Sequence, residues 1–351
     1  MNITRAGHRT EVIPFRARDN TPLNLVHVTS AAVVTKGPVM LVHGSGVRAE
    51  LFRPPIRTTL VDVLLEDGWD VWMLNWRASI DLDPLSWTLA DAAVYDHPAA
   101  VEHVLKATGA ESMKAVIHCQ GSTSFTMSAV AGLLPQVDTI VSNAVSLHPV
   151  VPAFSRVKID YLTPIVKIFT PYLSPAWGYK SQGYFTRVIR GLVKATHHEC
   201  HSTVCKMVSF TYGSGRPALW SHENLDAATH QWLEGEFAEV PVTFFEEMGR
   251  SIKAGHMVAA GNHPELPMDY TAEAPRTDAR FAFIAGLDNL CFLPESQQRT
   301  FEFFQKHRPG KDSLHLIPGY GHLDVFFGEH AWQDTFPVII QQLNGTKELH
   351  A

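Results

Sequence analysis

Short apolar runs alternate with stretches of helical spacing along most of this chain, and the alternation stops once. Runs at 11–18 and 23–28, joined by the turn Asp19-Asn20-Thr21-Pro22, are followed by runs at 38–42, 71–74, 113–118, 139–145, 281–285 and 313–317. Helical spacing falls between them at 60–65, 88–108, 125–134, 294–307 and 325–343, with a break or kink expected at Asp96-His97-Pro98. Strands alternating with helices predict an α/β fold, a mostly parallel central sheet with helices on both faces. From about 149 to 267 the text turns aromatic-rich, helical and proline-rich. This predicts a core of residues 1–148 and 268–351, with a large helical cap or lid, 149–267, inserted after the sixth strand.

Within that pattern, Ala115-Val116-Ile117-His118-Cys119-Gln120-Gly121-Ser122 reads as strand, tight turn, helix. A nucleophile elbow holds its reactive side chain on such a strained turn, with small residues two positions to either side. Cys119 takes the nucleophile position and Gly121 one small position. Ile117 takes the other, which predicts an opened or shifted elbow. The competing expectation is a buried thiol at a strand end.

A thiol nucleophile needs a base, a group to orient the base, and donors for an oxyanion. Gly319-Tyr320-Gly321-His322 follows the last strand and Gly286-Leu287-Asp288-Asn289 the one before it. The order Cys119, Asp288, His322 is nucleophile, acid, base. Asp324 competes with Asp288 as the acid but is expected to cap the following helix. After the 38–42 strand, His43-Gly44-Ser45-Gly46 offers the N–H of Ser45 to join that of Gln120 as an oxyanion hole. His43 and His118 flank the site and are read as structural. Gly44-Ser45-Gly46-Val47-Arg48-Ala49 mimics a dinucleotide fingerprint, but Pro54-Pro55 would break the helix that motif needs.

The chain resembles α/β-hydrolases of the acid-lipase type, and most closely the lipase-like hydrolase domains fused to cholesterol-oxidase-like (GMC) flavoproteins. The resemblance is carried by Leu41-Val42-His43-Gly44, Asp70-Val71-Trp72-Met73-Leu74-Asn75-Trp76-Arg77, Tyr95-Asp96-His97-Pro98-Ala99, His118-Cys119-Gln120-Gly121-Ser122 and Gly321-His322-Leu323-Asp324-Val325-Phe326-Phe327-Gly328. Acid lipases carry Ser at the Cys119 position; a cysteine there is similar to polyhydroxyalkanoate synthases. The resemblance implies an acyl-enzyme acting on an ester or thioester of a hydrophobic acyl substrate, carried or not on CoA or a carrier protein. Transfer of the acyl group to a nucleophile other than water, and a non-catalytic lipid- or steroid-binding protein, are the alternatives. No cofactor is called for.

A net charge of −6 argues against nucleic acid. Four cysteines make no disulfide framework, and the first twenty residues hold no apolar signal run, so a cytoplasmic protein is expected. His197, His198, Cys200, His201 and Cys205 cluster, yet their spacing matches no standard pair of metal-ligand knuckles, and no metal site is assigned. Cap aromatics, Phe154, Tyr161 and Trp177 foremost, are candidates to wall the acyl pocket. Residues 151–198 hold seven Lys or Arg against Asp160 alone. That is either a solvated face or a surface for anionic membranes or a phosphorylated carrier.

Overall fold

The computed structural model describes residues 7–180, 183–197, 200–214 and 217–345. Ten strands form: β1 (Arg9–Arg16), β2 (Pro22–Thr29), β3 (Pro38–Val42), β4 (Asp70–Asn75), β5 (Met113–His118), β6 (Val137–Asn143), β7 (Tyr172–Leu173), β8 (Val240–Pro241), β9 (Arg280–Gly286) and β10 (Ser313–Ile317). Eight of them make one sheet in the order β1-β2-β4-β3-β5-β6-β9-β10, and β7 pairs with β8 apart from it. The β1/β2 and β2/β4 pairs are antiparallel, and every later pair of the sheet is parallel. Val39, Leu41, Val71, Met73, Val116, Val141 and Ile284 pack on one face of the sheet, while Met40, Val42, Trp72, Leu74, Ala115, Ile117 and Ile140 pack on the other. Burial on both faces is what makes these strands continuous apolar runs.

Parallel register brings the carboxyl ends of the strands to one edge. Ile117 lies beside Val42 and Ser142, His118 beside Asn143, and Gly286 beside Ile317. The loops carrying Gly44, Cys119, Asp288 and His322 therefore leave the sheet together.

Two helical expectations change. Of the break or kink expected at Pro98, the break is not seen, but the helical path is irregular just before it: one wider turn (Ala92–Asp96) leads into the helix His97–Thr108, where Pro98 sits in the first turn and needs no N–H partner. The stretch 325–343 is three pieces, Asp324–Phe327, Ala331–Asp334 and Phe336–Asn344. Gly328 and Pro337 punctuate it.

The wide turn aims Asp96 inward. Its carboxylate accepts from Arg77 Nη2 at 2.6 Å, Arg77 Nε at 2.9 Å and the Arg77 N–H at 3.0 Å, and both residues are buried. Trp76 Nε1 donates to the carbonyl of His43 at 2.9 Å, and His97 Nε2 meets Ser124 Oγ at 2.7 Å. The motifs around Trp76-Arg77 and Asp96-His97 thus brace the loop after β3 and the helix after β5. Removing one partner of a buried pair strands the other charge. Asp96→Asn is expected to lose about 3–5 kcal/mol in urea unfolding, whereas Glu102→Gln, on the exposed Arg18 pair, costs under about 1 kcal/mol.

Candidate active site

β5 ends at His118, and the helix Cys119–Val130 starts at once, with Cys119 held at φ +54°. The left-handed conformation is costly for a residue with a Cβ and marks a strained elbow. The elbow is not opened as Ile117 led us to expect. Ile117 packs wholly inside the core, and the close approach is made on the other side. A Cβ on Gly121 would lie 2.2 Å from the carbonyl oxygen of His43, and one on Gly44 would lie 2.9 Å from Cys119 Cβ.

That proximity sets the backbone donors. The N–H groups of Gln120 and Ser45 both face the Cys119 thiol and favour its anion, although burial dominates and pushes the thiol up to about 12. The residues expected as an oxyanion hole thus stand together on the sulfur. The Tyr212 hydroxyl donates to the Ser45 carbonyl at 3.4 Å and supports that loop from the cap.

A ring nitrogen of His322 and one of His118 lie with the sulfur in a cluster whose atoms are all within 4.8 Å of one another. The rings are 4.7 Å apart between centroids. Burial, then the neighbouring His118, push His322 well below the ordinary histidine value; burial pushes His118 down to about 3. All three shifts favour the neutral forms.

Asp288 does not orient His322. Its side chain is exposed, because the turn after β9, fixed by Asp288 N–H to the Tyr320 carbonyl (2.9 Å), aims it outward and the next residue inward. Asn289, buried, places Nδ2 3.0 Å from His322 Nδ1, while its Oδ1 accepts from the N–H groups of Cys291 (3.0 Å) and Phe292 (3.1 Å). Those two donors fix the amide. Its NH2 must face the imidazole, so Nδ1 of neutral His322 is the acceptor and Nε2 carries the proton. His118 is complementary: its Nδ1 meets Asn143 Oδ1 at 2.8 Å, and its buried Nε2 has no hydrogen-bond partner. Asn289 is not among the site residues expected from the sequence, where His118 reads as structural; the adjacency of Asp288 and Asn289 in one turn was the available signal for the first.

Asp324 is not a helix cap either. Its carboxylate accepts from the N–H of Gly321 (2.8 Å), the N–H of Ser221 (3.1 Å) and Asn224 Nδ2 (2.7 Å), tying the His322 loop to a cap strap, and burial pushes it up to about 6.

Cys119 and Gln120 face an apolar cavity walled by Leu162, Val166, Phe244 and Phe245, and a smaller hollow lined by His118 and His322 also reaches Cys119. Both Gln120 side-chain polar atoms are buried without hydrogen-bond partners. The expected walls are elsewhere: Phe154 is 63% and Tyr161 69% exposed, and Trp177 packs inside the cap against Phe185. The spacing Ile159, Leu162, Thr163, Val166 was the legible signal for the inner face. Among the described residues no helix is long and apolar enough to cross a membrane.

No family model matches the chain. Monoglyceride lipase of Saccharomyces cerevisiae, as a soluble variant with a substrate analogue, superposes with a TM-score of 0.58 at 13% identity, covering 99% of this chain and 98% of that one. The fold is that of the α/β-hydrolases. In sequence, sterol esterase 2 of S. cerevisiae is 26% identical over 137 residues, 33% of this chain but only 26% of that protein's length. Lipase member K of Homo sapiens is 22% identical over 302 residues, 80% of this chain and 73% of that one.

A thiol this high has little thiolate at neutral pH. Alkylation of Cys119 by iodoacetamide, followed by peptide mass mapping, is expected to rise about tenfold per pH unit from pH 7 to 10. A plateau near the free-cysteine value of about 8.5 would contradict the burial argument.

Proposed function

We propose that this chain is a cysteine-nucleophile hydrolase of hydrophobic carboxylic esters or thioesters, working through an acyl-enzyme. The observation that carries the reading is Cys119 on a positive-φ elbow, with the N–H groups of Ser45 and Gln120 on its sulfur at the end of an apolar cavity. A protein that only binds lipid has no use for two backbone donors converging on a thiol. The lipase and sterol esterase similarities support an ester carbonyl as the target.

The histidines divide the proton work. His118 Nε2 takes the thiol proton, and the thiolate attacks the acyl carbonyl, whose oxygen becomes the anion received by Ser45 and Gln120. His322 Nε2–H donates a hydrogen bond to the developing thiolate. His118 returns the proton to the leaving alkoxide or thiolate as the carbon–oxygen or carbon–sulfur bond breaks. Water then loses a proton to His118 as it attacks the thioester, and Cys119 leaves and is reprotonated.

Intact-mass spectrometry with acyl p-nitrophenyl esters and acyl thioesters is expected to give an acyl adduct on wild type and none on Cys119→Ala. His118→Gln should slow acylation about 10²-fold or more. In an Asn289→Asp background, where a carboxylate accepts from Nδ1–H and frees Nε2 as the base, the same change should cost under about tenfold. Equal losses in the two backgrounds would remove the base role from His118, and no adduct with any ester or thioester would remove the hydrolase reading. An adduct that water does not clear, but an added alcohol or thiol does, would move the assignment to acyl transfer.

The cap supports delivery from a lipid surface. Ile168, Phe169, Tyr184, Val188 and Leu192 are exposed among Lys167, Arg187 and Lys194, and three of them recur every four residues along the helix Gly183–Thr196. Sedimentation with phosphatidylglycerol vesicles should exceed that with phosphatidylcholine and fall with salt. Tyr184→Ser with Leu192→Ser should abolish it while leaving hydrolysis of a water-soluble ester intact.

A further inference from the structure

Away from the sheet edge, the cap gathers a second set of soft donors. Cys200, Cys205, His222 and His230 each contribute one atom to a cluster in which all four atoms lie within 4.8 Å of one another. Cys205 Sγ is 3.4 Å from His222 Nε2, and the two imidazoles lie 5.2 Å apart between centroids. His230 Nε2 is buried with no hydrogen-bond partner. The cysteines are not joined in a disulfide.

Plain packing of four such groups leaves a buried imidazole nitrogen unsatisfied, which is costly. A divalent soft metal removes that cost. Tetrahedral zinc, with Zn–S about 2.3 Å and Zn–N about 2.0–2.1 Å, needs donor separations of about 3.3–3.8 Å, so the four atoms stand within about 1 Å of the required spacing. Two thiolates and two neutral imidazoles on a dication carry no net charge, which suits a half-buried site.

We propose that Cys200, Cys205, His222 and His230 form a closed, four-ligand structural site for zinc(II). The ligands are separated by four, sixteen and seven residues, which is why the stretch 197–205 alone gave no ligand set. Of its other histidines, His197 packs on Phe210, His201 is exposed, and His198 lies outside the described residues.

The placement gives the metal a task. Cys205 sits in the first turn of the helix Thr203–Tyr212, capped by Ser202 Oγ at 3.3 Å, and that helix ends at Tyr212, which supports the Ser45 loop. His222 belongs to the strap 219–224. The Leu219 carbonyl accepts the N–H groups of His322 (3.0 Å) and Leu323 (2.9 Å), and Ser221 and Asn224 hold Asp324. One ion would fasten the oxyanion loop's support to the His322 loop's support.

The test uses the full chain, purified reduced and without chelator. Elemental analysis is expected to find one equivalent of zinc. Cobalt(II) replacement should give the visible bands of a tetrahedral site and a thiolate-to-metal charge-transfer band. Cys205→Ser and His230→Gln should each abolish the cobalt spectrum. Cys119→Ala should keep it, which separates this site from the His118, Cys119 and His322 cluster. EDTA should lower the apparent Tm of wild type and leave that of the two variants unchanged. Reduced wild type with a native near-UV circular dichroism spectrum that takes up neither metal would overturn the proposal, as would loss of the cobalt spectrum in Cys119→Ala.

Discussion

The site depends on how closely the helix after β5 passes the end of β3. With Gly121 against the His43 carbonyl and Gly44 against Cys119, helix and strand meet at a separation that admits no side chain between them. At that separation the Ser45 N–H reaches the sulfur; a wider gap would leave the Gln120 N–H as its single backbone donor. The elbow's positive φ costs about 1–3 kcal/mol. Offsetting it, every residue of the helix Cys119–Val130 is buried, and Trp76, Arg77, Asp96 and His97 clamp both sides of the junction.

Burial then decides the electrostatics. At His322 an amide stands where a charged carboxylate would otherwise sit, so nothing stabilises an imidazolium through its Nδ1, whereas Nδ1 of His118 meets Asn143 Oδ1. A thiolate–imidazolium pair at rest would have to point the Nδ1–H of His322 at the Asn289 NH2, donor against donor. Turning that amide over would set its NH2 against the N–H groups of Cys291 and Phe292. For His322 geometry as well as desolvation therefore favours the neutral state, and His118 is left as the imidazole free to take a proton. On the proposed chemistry, charge appears only as the carbonyl carbon is attacked, next to donors already in place, which is where electrostatic preorganisation acts most strongly.

Much of this was legible because it follows from periodicity and order. Apolar runs gave the strands, and residues at the ends of β3, β5, β9 and β10 meet because parallel strands share a carboxyl edge. What failed was phase. In the turn after β9 neither Asp288 nor Asn289 is marked by periodicity as the inward residue, and chemical preference selected the carboxylate where backbone geometry selects the amide. In the cap, aromatic composition pointed to Phe154, Tyr161 and Trp177, while the inner wall is set by helical spacing that includes small and aliphatic residues. The ligand set Cys200, Cys205, His222 and His230 spans a loop, the helix Thr203–Tyr212, the short turn His222–Asn224 and the helix Ala227–Trp232, so only tertiary packing assembles it.

The cap is more than a cover, because some of its contacts with the core fall on the loops that carry Ser45 and His322. Tyr212 reaches the Ser45 carbonyl, Leu219 receives both N–H groups at His322 and Leu323, and Asn224 holds Asp324 as well as the Gly319 carbonyl. A cap that swung away as a unit would remove the support of the oxyanion loop and of the histidine together. Entry to the cavity is therefore better served by the segment around Ile159–Val166, whose inner face lines the cavity and whose outer face carries exposed Tyr161 and Ile165. Movement confined there would open the cavity while the strap 219–224 stays fixed on the core. A four-ligand metal behind that strap would tie the support of the Ser45 loop to the support of the His322 loop, apart from the segment that lines the cavity.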